Sequence, residues 1–138
     1  MSTFTIGEAI GLTGVSVLEH LDRQVEIPVI TGLQAQGDVI IIPAKEGTAV
    51  TPVPQQGVPV VRGESGGNTH LLLCETGSVL FDRATQSREQ LDLGVLTVGD
   101  DSVALFAHPE HGFSRVGPGS YLLRRQRQRL NEIILVAD

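Results

Sequence analysis

Apolar positions in this chain fall in short runs divided by glycine, proline and polar pairs. Residues 39–42 form a continuous β-branched run closed by Pro43, the pattern of a strand buried on both faces. Residues 58–62, 70–75 and 78–82 read as further short strands, the last two meeting in a tight hairpin at Thr76 and Gly77. Residues 91–98 and 102–107 predict a second hairpin around Gly99, Asp100 and Asp101, which tolerate a turn's backbone angles. Pro118 and Gly119 introduce a strand over 121–129, and 132–136 supplies a last apolar one. Helical punctuation is confined to residues 1–24. Thr5 with Glu8 and Ser16 with Glu19 have capping-box spacing, predicting helices over 6–12 and 17–24.

Seven or eight strands spaced in this way predict an all-β fold, a single β-sandwich or partly closed barrel, with a short helical N-terminal segment. The expected organisation is a helical arm over 1–30 and a β domain over 31–138. A Pro/Gly-rich stretch at 44–58, with Pro52, Pro54 and Gly57, is expected to form an extended loop or arm that contacts another surface, with a mobile surface loop as the alternative.

Composition sharpens this picture. A chain of 138 residues fits one domain, and 41 % hydrophobic residues with only 4 % aromatics require an aliphatic core. The formal charge is −6, but Arg124, Arg125, Arg127 and Arg129 carry +4, so the rest of the chain carries −10. That balance argues against general attraction to nucleic acid or an anionic membrane. The longest apolar runs are too short to span a bilayer. No secretory leader is read before Arg23, so the expected location is the cytoplasm, or a phage particle assembled there. Cys74 has no second cysteine to pair with and reads as a small buried thiol.

Two constellations carry candidate chemistry. His108, Glu110 and His111 follow a strand within four residues and, with His70 from another strand, supply the ligand types of a divalent-metal site. The alternative is that these histidines are structural, held by hydrogen bonds. The second constellation is the arginine ladder. In an extended strand, alternation places Arg125, Arg127 and Arg129 on one face and Arg124 on the other. We read the ladder as an ion-pair strip within or between subunits, with polyanion binding as the alternative. No nucleophile elbow, phosphate-binding glycine loop or paired-cysteine motif accompanies either.

Three resemblances add expectations. Residues 4–17, within a likeness covering 4–20, resemble the start of MerR-type helix-turn-helix regulators, which implies DNA binding. The second helix there carries Glu19 and Asp22, with Glu26 beyond it, against His20 and Arg23, a poor phosphate-facing surface. Residues 63–70 with Glu75, and Gly117 to Gly119, resemble parts of the two cupin motifs and imply a cupin-like barrel. The cupin's first histidine position falls on Asn68. A longer likeness, over residues 37–138, is to small bacterial and phage-associated proteins of no assigned function. It is carried by Gly37-Asp38-Val39, Gly63-Glu64 ahead of His70, the His108 to His111 motif, Pro118 to Tyr121 and Arg125-Gln126-Arg127. This resemblance implies a compact β domain with clustered histidines.

The sequence thus points to a non-enzymatic structural or interaction protein, without a cofactor. It is expected to form a homo-oligomer or to decorate a larger viral or bacterial assembly. The competing expectation is a cupin-like metal-binding domain using His70, His108, His111 and Glu110.

Overall fold

The computed structural model describes residues 5–13, 27–45, 47–61, 69–84, 92–109 and 112–125. One helix, α1 (Ile6–Thr13), precedes ten strands. These are β1 (Val29–Ile30), β2 (Gln34–Gln36), β3 (Val39–Pro43), β4 (Val58–Val61), β5 (His70–Thr76), β6 (Val79–Arg83), β7 (Asp92–Val98), β8 (Val103–His108), β9 (Gly112–Val116) and β10 (Gly119–Arg125).

The strands form two five-stranded sheets, β1-β9-β8-β5-β4 and β2-β3-β10-β7-β6. All neighbours are antiparallel except β1 and β9. The domain is therefore an open sandwich, which settles the choice between sandwich and barrel. Alternation along the strands builds its core. Val39 and Ile41, Tyr121 and Leu123, Leu96 and Val98 from one sheet meet Leu72, Ala104, Phe106 and Val116 from the other.

The first sheet is covered on its outer face too. Leu73, Leu105 and Ala107 point away from the main core and pack with Ala9 of α1 and Ile27. The predicted capping box starts that helix: the Thr5 amide donates to Glu8 Oε1 at 3.1 Å, and the Glu8 amide to Thr5 Oγ1 at 3.2 Å. The predicted helix at 17–24 and strand at 132–136 lie outside the described residues.

Two local devices fix the turns. The buried Tyr121 hydroxyl donates to the carbonyl of Gly117, 2.8 Å away, pinning the chain that leads into its own strand, as tyrosine corners do in other sandwiches. Between β5 and β6, Gly77 has φ +80°, and a Cβ there would lie 2.1 Å from Ser102 Oγ, so the turn admits no side chain. That Ser102 hydroxyl in turn accepts the Ser78 amide at 2.8 Å.

The proline-rich segment is docked along β6. Thr51 accepts the Phe81 amide, and the Val53 amide donates to Val79, so the chain around Pro52 runs along β6 as an added edge. The amides of Val50 and Thr51 also donate to the two oxygens of Asp82, at 3.0 and 3.1 Å. Proline content signalled an irregular chain, but proline is tolerated on a sheet's outermost edge, where an N–H is not needed.

The Thr51 side chain first, and then the Val50 amide, hold the Asp82 carboxyl below the usual carboxylate range. The native state therefore binds this proton less readily than the unfolded chain. The contribution of these bonds is complete above the ordinary aspartate value of about 3.9 and is lost as pH falls through the lowered native value. We expect the Val50 and Thr51 amide resonances to titrate with a midpoint more acidic than that of a free aspartate. In Asp82→Asn that titration should vanish while core resonances stay in place.

Candidate functional site

The buried polar centre of the domain begins at the β2–β3 turn. Gln36 and Val39 flank a two-residue turn in which Gly37 takes φ +60°, a conformation that glycine adopts without strain. The turn leaves Gln36 facing the sandwich interior, 3 % exposed. Its Nε2 donates to the carbonyls of Phe106 (2.9 Å) and Gly112 (3.2 Å) and lies 3.3 Å from Ser114 Oγ. Those carbonyls only accept, so they fix which end of the amide is nitrogen.

Oε1 of Gln36 is thereby aimed at His70 Nδ1, 3.1 Å away. Because that oxygen accepts, Nδ1 carries the proton. His70 Nε2 faces Asp38 Oδ1 at 3.3 Å, an ion pair whenever the ring holds both protons. The ring is stacked on Phe106, with centroids 5.3 Å apart at 17°, and touches the His108 ring at 4.2 Å and 39°. Both histidines are buried. Gln36 belongs to the second sheet and its partners to the first, so this cluster joins the two sheets across one end of the sandwich.

The structure therefore brings two of the four proposed metal ligands, His70 and His108, into contact. Glu110 and His111 lie outside the described residues. Both nitrogens of His70 already face protein partners, and among the described residues no three His, Cys, Asp or Glu side chains are placed to hold a metal ion. The donor set described does not by itself fit an ion. Glu75, near His70 in sequence, is turned to the other face of the first sheet. There it accepts from Arg115 Nε at 2.8 Å and Nη2 at 2.6 Å, while Arg115 Nη1 donates to the Ile27 carbonyl at 3.0 Å. Burial first, and Glu75 second, push the Cys74 thiol upward, which keeps it protonated and a poor nucleophile.

Half of the arginine ladder is described. Arg124 Nε lies 2.8 Å from Asp92 Oδ1, and Arg125 Nε lies 4.0 Å from Asp38 Oδ2. Both arginines face acids of their own chain. Arg127 and Arg129 lie outside the described residues. Asp38 thus stands between Arg125 and His70. Sequence reasoning missed Gln36 altogether, since a lone glutamine in a three-residue strand carries no pattern; Gly37-Asp38 was the available signal that a turn ended there.

Taken together, these features define an all-β sandwich domain with a buried polar cluster at one end. Residues 35–126 match a domain of unknown function, DUF8820, and the chain belongs to that family. The matched stretch starts within β2 and ends just beyond β10. No curated protein and no solved structure matches the chain. No helix among the described residues is long and apolar enough to cross a membrane.

The Gln36 bridge has a measurable value. Gln36→Leu keeps most of the volume but leaves the His70 Nδ1–H and two carbonyls without their partner. We expect it to lower the unfolding free energy by about 1–3 kcal/mol. Urea titration should show a lower midpoint with an unchanged slope.

Proposed function

We propose that this domain is a non-enzymatic structural or interaction protein. It joins copies of itself, or a larger viral or bacterial particle, in the cytoplasm or in a phage particle assembled there, and needs no cofactor. The observation that supports this is the unequal treatment of its sheet edges. Exposed strand edges are templates for pairing, and soluble proteins blunt them with proline, charge or a covering segment. Here the β6 edge is covered by the chain around Pro52, which has no N–H to offer. The β4 edge contains Pro59, and Arg83 donates to the carbonyls of Pro59 and Val60. Among the described residues the edge at β2 has no such guard. No residue from Val29 to Gly37 is charged or proline, and Leu33, beside β2, is 57 % exposed.

Sedimentation of the purified protein should reveal species heavier than the 14.7 kDa chain, growing with concentration. A monomer throughout, at high concentration and without any added partner, would count decisively against self-assembly.

A second reading, a divalent-cation site, draws on the contact between His70 and His108 and on the His-Pro-Glu-His sequence that continues from it. Such an ion has to displace Gln36 or Asp38 from His70. Elemental analysis of protein never exposed to chelator should then give about one zinc, iron or manganese per chain. Metal-free protein with an intact fold would eliminate this reading.

A further inference from the structure

We infer that two copies of the chain join through β2, antiparallel about a two-fold axis at Ala35, so that their second sheets become one continuous sheet. The inference rests on the assembly reading and names its contact and partner.

The argument starts from hydrogen-bond parity in the β2–β3 hairpin. Gln36 and Val39 flank a two-residue turn and so exchange hydrogen bonds, as do Gln34 and Ile41. Ala35, opposite Ile40, is then the residue of β2 whose N–H and C=O point away from β3. Among the described residues no strand pairs with that side. The side chains obey the same alternation. Gln34 and Gln36 reach inward to the first sheet, while Ala35 and Leu33 are exposed on the outer face.

An antiparallel copy centred on Ala35 sets Ala35 against its equivalent and Leu33 against Gly37. The strand is its own complement under a two-fold operation, which is what a closed homodimer requires. At Ala35 each chain's N–H meets the other's C=O. Opposite Leu33, Gly37 presents no side chain, so the leucine can lie across the partner's turn.

Charge favours a second copy over a partner of opposite sign. A chain of net −6 repels itself over most of its surface, and a contact between identical chains is least opposed where charge is missing. Residues 29–37 form such a stretch. An uncharged edge also gives no electrostatic basis for selecting a strongly acidic or basic partner. The pairing spans roughly five residues, well below the area of a permanent interface, so the dimer is weak and concentration-dependent.

The test uses the full chain in two variants. In Ala35→Cys with Cys74→Ser, the pairing places the two Cα atoms about 5.5 Å apart, within disulfide range. Mild oxidation should convert most of the protein to a covalent dimer that dissociates on reduction. The second variant, Leu33→Lys with Ala35→Lys, changes only exposed side chains and should keep the native circular dichroism while losing the dimer in sedimentation. Native protein that assembles although the double-lysine variant assembles equally, and the cysteine variant does not cross-link, overturns the β2 contact and leaves the assembly reading standing. Native protein that stays monomeric removes both.

Discussion

A buried primary amide has two donors and an acceptor to satisfy, and in this domain that requirement is met across the gap between two sheets. Gln36 Nε2 takes the carbonyls of Phe106 and Gly112, and Oε1 takes the proton of His70 Nδ1. Apolar contact alone tolerates sliding of one sheet over the other, because methyl groups are nearly interchangeable. Hydrogen bonds to two named carbonyls are not. A shift of β2 by one residue replaces Gln36 with Ala35 or Gly37 and leaves polar groups on both sides unpaired. The cluster thus sets register where the aliphatic core supplies cohesion.

The opposite end of the sandwich is held by the same type of contact. Arg83 reaches from β6 to the carbonyls of Pro59 and Val60 on β4, with its guanidinium carbon 5.9 Å from the centre of the Phe81 ring. Each edge of the layer pair is therefore tied by one long polar side chain binding backbone oxygen. The difference lies in what remains outside. Along β6 the chain doubles back and covers the edge with Pro52; along β2 the connection is short and no described strand pairs with the outward groups of Ala35. Among the described residues the two edges of this sheet are therefore unequal in the property that governs strand addition.

Much of this fold was legible in the sequence. The β-branched run that became β3, the strands β5 to β8 with the turns between them, and the Thr5/Glu8 cap followed from period-two alternation, turn residues and capping chemistry. The two expected hairpins did not form: β5 and β8 pair in the first sheet and β6 and β7 in the second, so each turn carries the chain from one sheet to the other. Strand β9 was not legible. Its residues Phe113 and Arg115 lie on the first sheet's outer face, where α1 and Ile27 pack, while Ser114 faces the interior beside Gln36. Polar residues satisfied by distant partners break the apolar pattern on both faces, so no local signal remained. The docking of Pro52 was hidden for a related reason: proline disfavours a central strand but suits an outermost one, and sequence alone does not reveal which strand will be outermost.

The histidines illustrate the limit most clearly. Spacing suggested a ligand set, because His108 and His111 are close in sequence and His70 could come from another strand. That strand proves to be a neighbour: β5 pairs with β8, and the two ring centroids are 4.2 Å apart. Yet a pair of adjacent imidazoles serves a metal only if their lone pairs converge on a shared empty point. In His70 the hydrogen on Nδ1 is directed at Gln36, and Nε2 faces Asp38, which itself stands near Arg125. Ring direction depends on Gln36 and Asp38, 34 and 32 positions away in the chain, and nothing local marked either as a partner of a histidine. In the described structure His70 serves as a polar tie between the sheets, and the same tie holds β2.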